Sequence, residues 1–141
     1  KGHCLKHSDC CEGCHPVHDV CYRAQCLKTT AAVVVRLGLQ PEQYAISFQS
    51  RLGPEKWLTP TTENELERMA REGVKRMLVV CPAFVSDCLE TLEEIGIRGK
   101  EDFTSWGGES LELIPCMNQH PMWIDALKQM IDAWAAKRDA A

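Results

Sequence analysis

Long apolar runs are missing from this sequence. The longest near its start, Ala31–Val35, falls far short of the roughly 20 residues a membrane helix needs. No charged-then-apolar leader opens the chain. Lys1 rather than methionine comes first, as expected of a fragment or a processed product. An excess of basic residues is missing too. Lys and Arg number 16 against 20 Asp and Glu, for a net charge of −4, which argues against binding that relies on neutralising nucleic-acid phosphates. There is no Gly-x-Gly-x-x-Gly, no phosphate-binding loop and no Gly-x-Ser-x-Gly, so nucleotide binding and that type of serine nucleophile have no support. No internal repeat is present. What remains is ordinary for one globular domain: 141 residues, 45% hydrophobic and 26% charged, a balance that excludes a disordered tail or a fibrous repeat.

Cysteine, by contrast, is abundant and unevenly placed. Six of nine (Cys4, Cys10, Cys11, Cys14, Cys21, Cys26) lie in the first 26 residues, and Cys81, Cys88 and Cys116 stand alone. A small disulfide scaffold would spread an even number through the chain, so the clustering reads as an intracellular metal or iron–sulfur segment. The Cys11-x-x-Cys14 pair can chelate a metal from a tight turn, and four thiolates would hold zinc or a [2Fe–2S] cluster. Reduced thiols packing on a neighbouring helix are the plainer alternative.

Residues 1–16 carry no apolar period and read as a loop. A helix is predicted over Val17–Leu37, stopped by Gly38. A strand is predicted over Tyr44–Phe48, broken by the turn residues up to Pro54. Thr62-Glu63-Asn64-Glu65 has the form of a capping box opening a helix that ends at Gly73. Met77–Cys81 reads as a strand buried on both faces. A helix follows from Ser86-Asp87 to Ile95, then a loop over 96–109 that admits a helical turn and ends at Gly107-Gly108, a strand over Leu111–Ile114, and a last helix starting at Pro121, with Trp123, Leu127, Met130, Ile131 and Trp134 on its apolar face. The alternation predicts an α/β fold, a parallel sheet flanked by helices on both faces. Ligands then sit at the carboxyl ends of the strands, after Ser47, Cys81 and Ile114.

Two segments there can carry chemistry. Asp87, Glu90 and Glu94 share one helix face. They are either a capping box with solvated acids beyond it, or carboxylates facing a pocket where they bind a hard cation or accept protons. In Ser47–Leu58, Trp57 offers a flat apolar wall and Arg51 a carboxylate-binding fork. The plainer reading is a strand, a turn and a groove-filling tryptophan.

These residues carry a family resemblance. Ser47-Phe48-Gln49-Ser50-Arg51-Leu52-Gly53-Pro54-Glu55-Lys56-Trp57-Leu58-Thr59-Pro60 resembles the signature of ferrochelatases, as do Val80–Ile95 and the loop Ile114-Pro115-Cys116-Met117-Asn118-Gln119-His120-Pro121. The resemblance spans about residues 20–137 and implies the C-terminal, Rossmann-like half of a two-half chelatase fold. Residues 1–16 would be a cysteine-rich loop and 17–141 the C-terminal α/β chelatase domain. The implied activity is insertion of ferrous iron, a substrate, into a dicarboxylate porphyrin to make haem, in the cytoplasm. The implied partner is the N-terminal half of the same enzyme. Peripheral membrane contact is admitted, and the oligomeric state is left open. By position, Glu90 matches the catalytic glutamate and Glu94 the next acid. Trp57, with Arg51 and Ser50 beside it, matches the substrate pocket wall, and Cys88 stands where some members have histidine. The family's metal-inserting histidine is expected upstream of Lys1, with His3 as the alternative, so this fragment alone is expected to be inactive. Some bacterial members resemble this chain in a cysteine-rich insert associated with a [2Fe–2S] cluster. Cys4, Cys11, Cys14 and Cys21 are its expected ligands, with adjacent Cys10 and Cys11 not turning toward the same iron, Cys10 in place of Cys11 as the alternative, and zinc as the rival metal. Two other readings stay open: a non-catalytic iron–sulfur or zinc module, and a chelatase for another metal or tetrapyrrole.

Overall fold

The computed structural model describes residues 10–13, 16–49 and 57–139. A 3-10 turn at Pro16–Asp19 leads into α1 (Tyr22–Leu37). The N-terminal end of the predicted helix is therefore this turn, and the α-helix begins at Tyr22. Gly38, at φ 67°, ends α1 as expected: Leu39 N–H reaches back to Val34 O (3.1 Å), a bond a left-handed glycine makes possible. α2 (Thr62–Arg71) starts one residue from the expected cap. Thr61 is the N-cap, and its hydroxyl accepts from Asn64 N–H at 3.4 Å.

β1 (Arg76–Val79) and β2 (Ser110–Leu113) pair in parallel, with Arg76 opposite Ser110 and Val79 opposite Leu113. Alternation along β1 sends Met77 and Val79 to the core face, where Leu66, Ala70, Ile95, Phe103 and Leu111 are buried together. The α/β class with a parallel sheet is borne out. The strand expected to be buried on both faces is not: Leu78 is 69% exposed and Val80 54%. α2 and the helical stretch between the two strands cover one face, that stretch packing on both β2 and α2, and no described element covers Leu78. The predicted Tyr44–Phe48 strand reduces to one bridge, Phe48 to Thr61, because among the described residues no partner strand continues beside it. α4 (Pro121–Asp139) starts at Pro121 as expected, yet Met130, Ile131 and Trp134 on its apolar face are more than half exposed.

The largest departure from the predicted pattern lies between the strands. The helix expected from Ser86 begins at Leu89 and runs as a π-helix over Glu90–Gly99, then as α3 over Lys100–Ser105. The segment 96–109, expected to be a loop, is thus helical through Ser105. Its buried residues Thr91, Ile95, Gly99 and Phe103 fall at four-residue intervals. Four residues overshoot an α turn by roughly 40° and undershoot a π turn, which holds roughly 4.4 residues, by roughly 33°. Two π steps followed by one α step partly offset each other and leave a net drift of roughly 26°, so a strict four-residue repeat stays on one face toward the core. Gly96 and Gly99 are the close approaches in this helix. A β-carbon at Gly96 would meet Leu113 Cδ2 at 3.3 Å, and one at Gly99 would meet Leu66 Cδ1 at 3.3 Å. They let the wide helix lie against β2 and α2.

Candidate active site

Parallel strands end at the same edge, so the segments leaving β1 and β2 meet there. Asn118, at φ 44°, sits in the second segment. Its backbone N–H donates to Val85 O (2.9 Å), its side-chain Oδ1 accepts from Asp87 N–H (2.9 Å), and its Nδ2 donates to Asp87 Oδ2 (2.6 Å). Asp87 Oδ1 also accepts from Cys116 N–H (3.2 Å) and lies 3.1 Å from the Thr91 hydroxyl. That hydroxyl, fully buried, accepts from Cys88 N–H at 3.0 Å. The donors from Asn118, then Cys116 and Thr91, hold the Asp87 carboxyl below its usual range, against an opposing effect of burial. Burial, then the hydrogen bond and charge of Asp87, pushes the Cys116 thiol up to about 11. Burial, then the Asp87 charge, raises Cys81.

Glu90 and Glu94 project one turn apart from the helix that this knot begins. The Cys88 thiol, then the glutamate's own N–H, lowers the Glu90 carboxyl below its usual range. Glu94 accepts from the side-chain amide of Gln49 and lies 3.8 Å from Arg98 Nη2. Trp57 Nε1 in turn donates to Gln49 O at 3.1 Å. The two segments singled out in sequence are therefore joined through Trp57, Gln49 and Glu94. A hollow of about 190 Å³ lies against Gln49, Glu63, Glu94, Arg98, Asp102 and Trp106. Glu93 pairs with Arg98 at 3.6 Å. In π geometry it is turned roughly 115° from Glu90, against roughly 60° in an α-helix. Ser50, Arg51 and His3 lie outside the described residues.

The ferrochelatase family profile matches residues 3–134. The chain belongs to the ferrochelatase family. It is 57% identical over 132 residues to a ferrochelatase of Ectopseudomonas mendocina, covering 93% of this chain and 39% of that protein. With a ferrochelatase of Opitutus terrae it shares 54% over 132 residues, 94% of this chain and 38% of the relative. With one of Stutzerimonas stutzeri it shares 54% over 129 residues, 91% and 38%. The chain thus spans about two fifths of the length of the curated relatives it matches. Among its described residues no helix is long and apolar enough to cross a membrane.

In this ferrochelatase-family chain the cysteine segment brings three donors together. One ligand atom each from Cys10, Cys11 and His18 lie within 4.8 Å of one another. The expectation that adjacent Cys10 and Cys11 diverge is corrected: their Sγ atoms are 3.9 Å apart. His18 Nε2 lies 2.6 Å from Cys10 O. A carbonyl only accepts, so Nε2 carries a proton. Thiolates and an imidazole suit zinc or an iron–sulfur centre rather than a hard cation. Cys21 caps α1 outside this trio, and Cys4 and Cys14 lie outside the described residues. Gln49 and Asn118 were not among the sequence candidates, whereas Cys10 was the alternative to Cys11 and His18 one of the interleaved histidines considered as ligands. The sequence signal for Gln49 and Asn118 is their place within the family-like segments.

Proposed function

We propose that this chain is the C-terminal half of a cytoplasmic enzyme that inserts ferrous iron into a dicarboxylate porphyrin. Residues 1–16 would be its cysteine-rich segment and 17–141 its α/β domain. Insertion forms four iron–nitrogen bonds and releases two pyrrole protons, so the site needs a proton acceptor and a transient ligand for a hard, partly dehydrated cation. Glu90, a carboxylate at the start of the π-helix, takes the protons. Glu94, one turn along, guides the iron. Trp57 walls the porphyrin pocket with Ser50 and Arg51, Arg51 pairing with a propionate. The observation that carries this reading is the π-helix that aligns Glu90 with Glu94 while Gln49 ties Glu94 to Trp57. The test is turnover in the full-length protein. Glu90→Gln keeps the shape but cannot accept a proton and should lose about 10²–10⁴-fold in kcat, whereas Glu93→Gln, turned away from that face, should lose less than about threefold. Equal, mild effects would sink the assignment.

The cysteine segment is proposed to hold a [2Fe–2S] cluster through Cys4, Cys11, Cys14 and Cys21. The soft donors gathered at Cys11 support this, and they add Cys10 and His18 as neighbouring donors. Such a cluster supplies one-electron redox chemistry or a structural clamp. Anaerobically purified protein should hold about two irons and two sulfides per chain. Colourless protein with one tightly bound zinc would replace this reading with a zinc site. Serine substitution at each cysteine, followed by visible absorption, names the ligands.

A further inference from the structure

Asn118 lies 31 residues from Asp87 in sequence, on the segment that leaves the other strand, yet the two exchange a reciprocal pair of hydrogen bonds. Asp87 N–H donates to Asn118 Oδ1 (2.9 Å) and Asn118 Nδ2 donates to Asp87 Oδ2 (2.6 Å). The other Asp87 oxygen takes Cys116 N–H from the same segment and faces the buried Thr91 hydroxyl, which accepts from Cys88 N–H. Residues 87, 88 and 91 are thereby fixed around the point where the π-helix begins, and Glu90 lies inside that bracket. The left-handed backbone at Asn118 (φ 44°) suits asparagine, which adopts it at little strain and aims its amide back at the neighbouring segment. We propose that Asn118 is a positioning residue for Glu90, acting through Asp87 and Thr91 to hold the first turn of the π-helix in register with the segment after β2.

This inference rests on the chelatase reading for its activity test, while its structural test does not. In the full-length protein Asn118→Ala should lower kcat for iron insertion by about 10²-fold, the scale of an ångström-sized misplacement of a reacting group. Its porphyrin dissociation constant should stay within about twofold, because Asn118 touches the helix start and not the Trp57 wall. Each single exchange, Asp87→Asn and Asn118→Asp, sets like groups against each other, two amide donors in the first and two carboxylates in the second. The double exchange restores a donor–acceptor pair with its polarity reversed and should recover most of kcat. A double variant as slow as Asp87→Asn alone would mean that the Asp87 charge itself is required, and would overturn the proposal. Hydrogen exchange of the peptide containing Cys88 and Thr91 is read in parallel. Protection should fall at least tenfold in Asn118→Ala and return in the double exchange, and unchanged protection overturns the proposal. If wild-type protein inserts no iron, the chelatase reading fails, and the exchange measurement still decides whether Asn118 fixes the helix start.

Discussion

Two adjacent glycines after α3 test the packing beneath the site, because they resist a β-carbon for different reasons. Gly107, at φ 106°, has open space around it, while Gly108 has the Phe103 ring directly in the way of any side chain. Phe103 is fully buried and belongs to the cluster with Ile95 and Leu111. The ring therefore cannot swing aside as a flexible side-chain end would, and displacing it pushes on the core under the π-helix. Gly108→Ala should cost about 1–3 kcal/mol through overpacking, and Gly107→Ala about 1–2 kcal/mol through backbone strain. In urea the Gly108→Ala midpoint should fall by about 1 M, for a slope near ~2 kcal/mol per M. Phe103→Leu distinguishes the two mechanisms. By shrinking the ring it should rescue Gly108→Ala, with a coupling of roughly 1 kcal/mol or more, and leave Gly107→Ala unrescued. Strict additivity of Gly108→Ala with Phe103→Leu, or a Gly108→Ala loss under about 0.5 kcal/mol, would refute the reasoning.

Two further predictions concern protonation. The Asp87 carboxyl is held below its usual range chiefly by Asn118, so its interactions stabilise the fold above the unfolded-state value near ~4 and are lost as pH falls through the lower folded-state value. The stability gap between wild type and Asn118→Ala should accordingly be full at pH 7 and shrink below about pH 4; a gap that widens on acidification would contradict this. The Cys116 thiol, pushed up to about 11, should alkylate with iodoacetamide at pH 8.5 about 100-fold more slowly than a free cysteine. Asp87→Asn should speed that reaction, as followed by mass spectrometry of the labelled peptide.

Elements with a local signature were legible in the sequence. Gly38 stopping α1, a Thr cap before α2, the apolar runs of β1 and β2 and Pro121 opening α4 each declare themselves through backbone chemistry within a few residues. Features set by distant partners were not. The helix predicted to end at Ile95 runs on through Gly96 and Gly99, where Leu113 and Leu66 from distant segments approach too closely for a side chain. The Tyr44–Phe48 alternation is strand-like, yet strandedness needs a neighbour, and among the described residues only Thr61 answers. Glu90, Glu94 and Trp57 were singled out as chemistry-bearing side chains within recognisable segments. Gln49 and Asn118 act across 45 and 31 residues, and nothing in their immediate neighbours announces that reach. Adjacent Cys10 and Cys11 were expected to diverge, but in the turn that precedes the 3-10 segment their thiols lie together.

The ten-residue π-helix also bears on how this stretch tolerates insertion and deletion. A π turn is an α turn holding one residue more, and the residues of Glu90–Gly99 absorb that surplus by widening the coil. Substitutions at exposed positions such as Leu92 or Ile97 leave the count untouched. Loss of a single residue between Thr91 and Gly99 would break the four-residue spacing that carries Ile95 and Phe103 into the core. The helix would then keep either its packing or the aim of its two glutamates. Between Leu89 and Lys100 the constrained quantity is therefore length before identity, and an alignment gap in this stretch would be a stronger warning of altered activity than several mismatches.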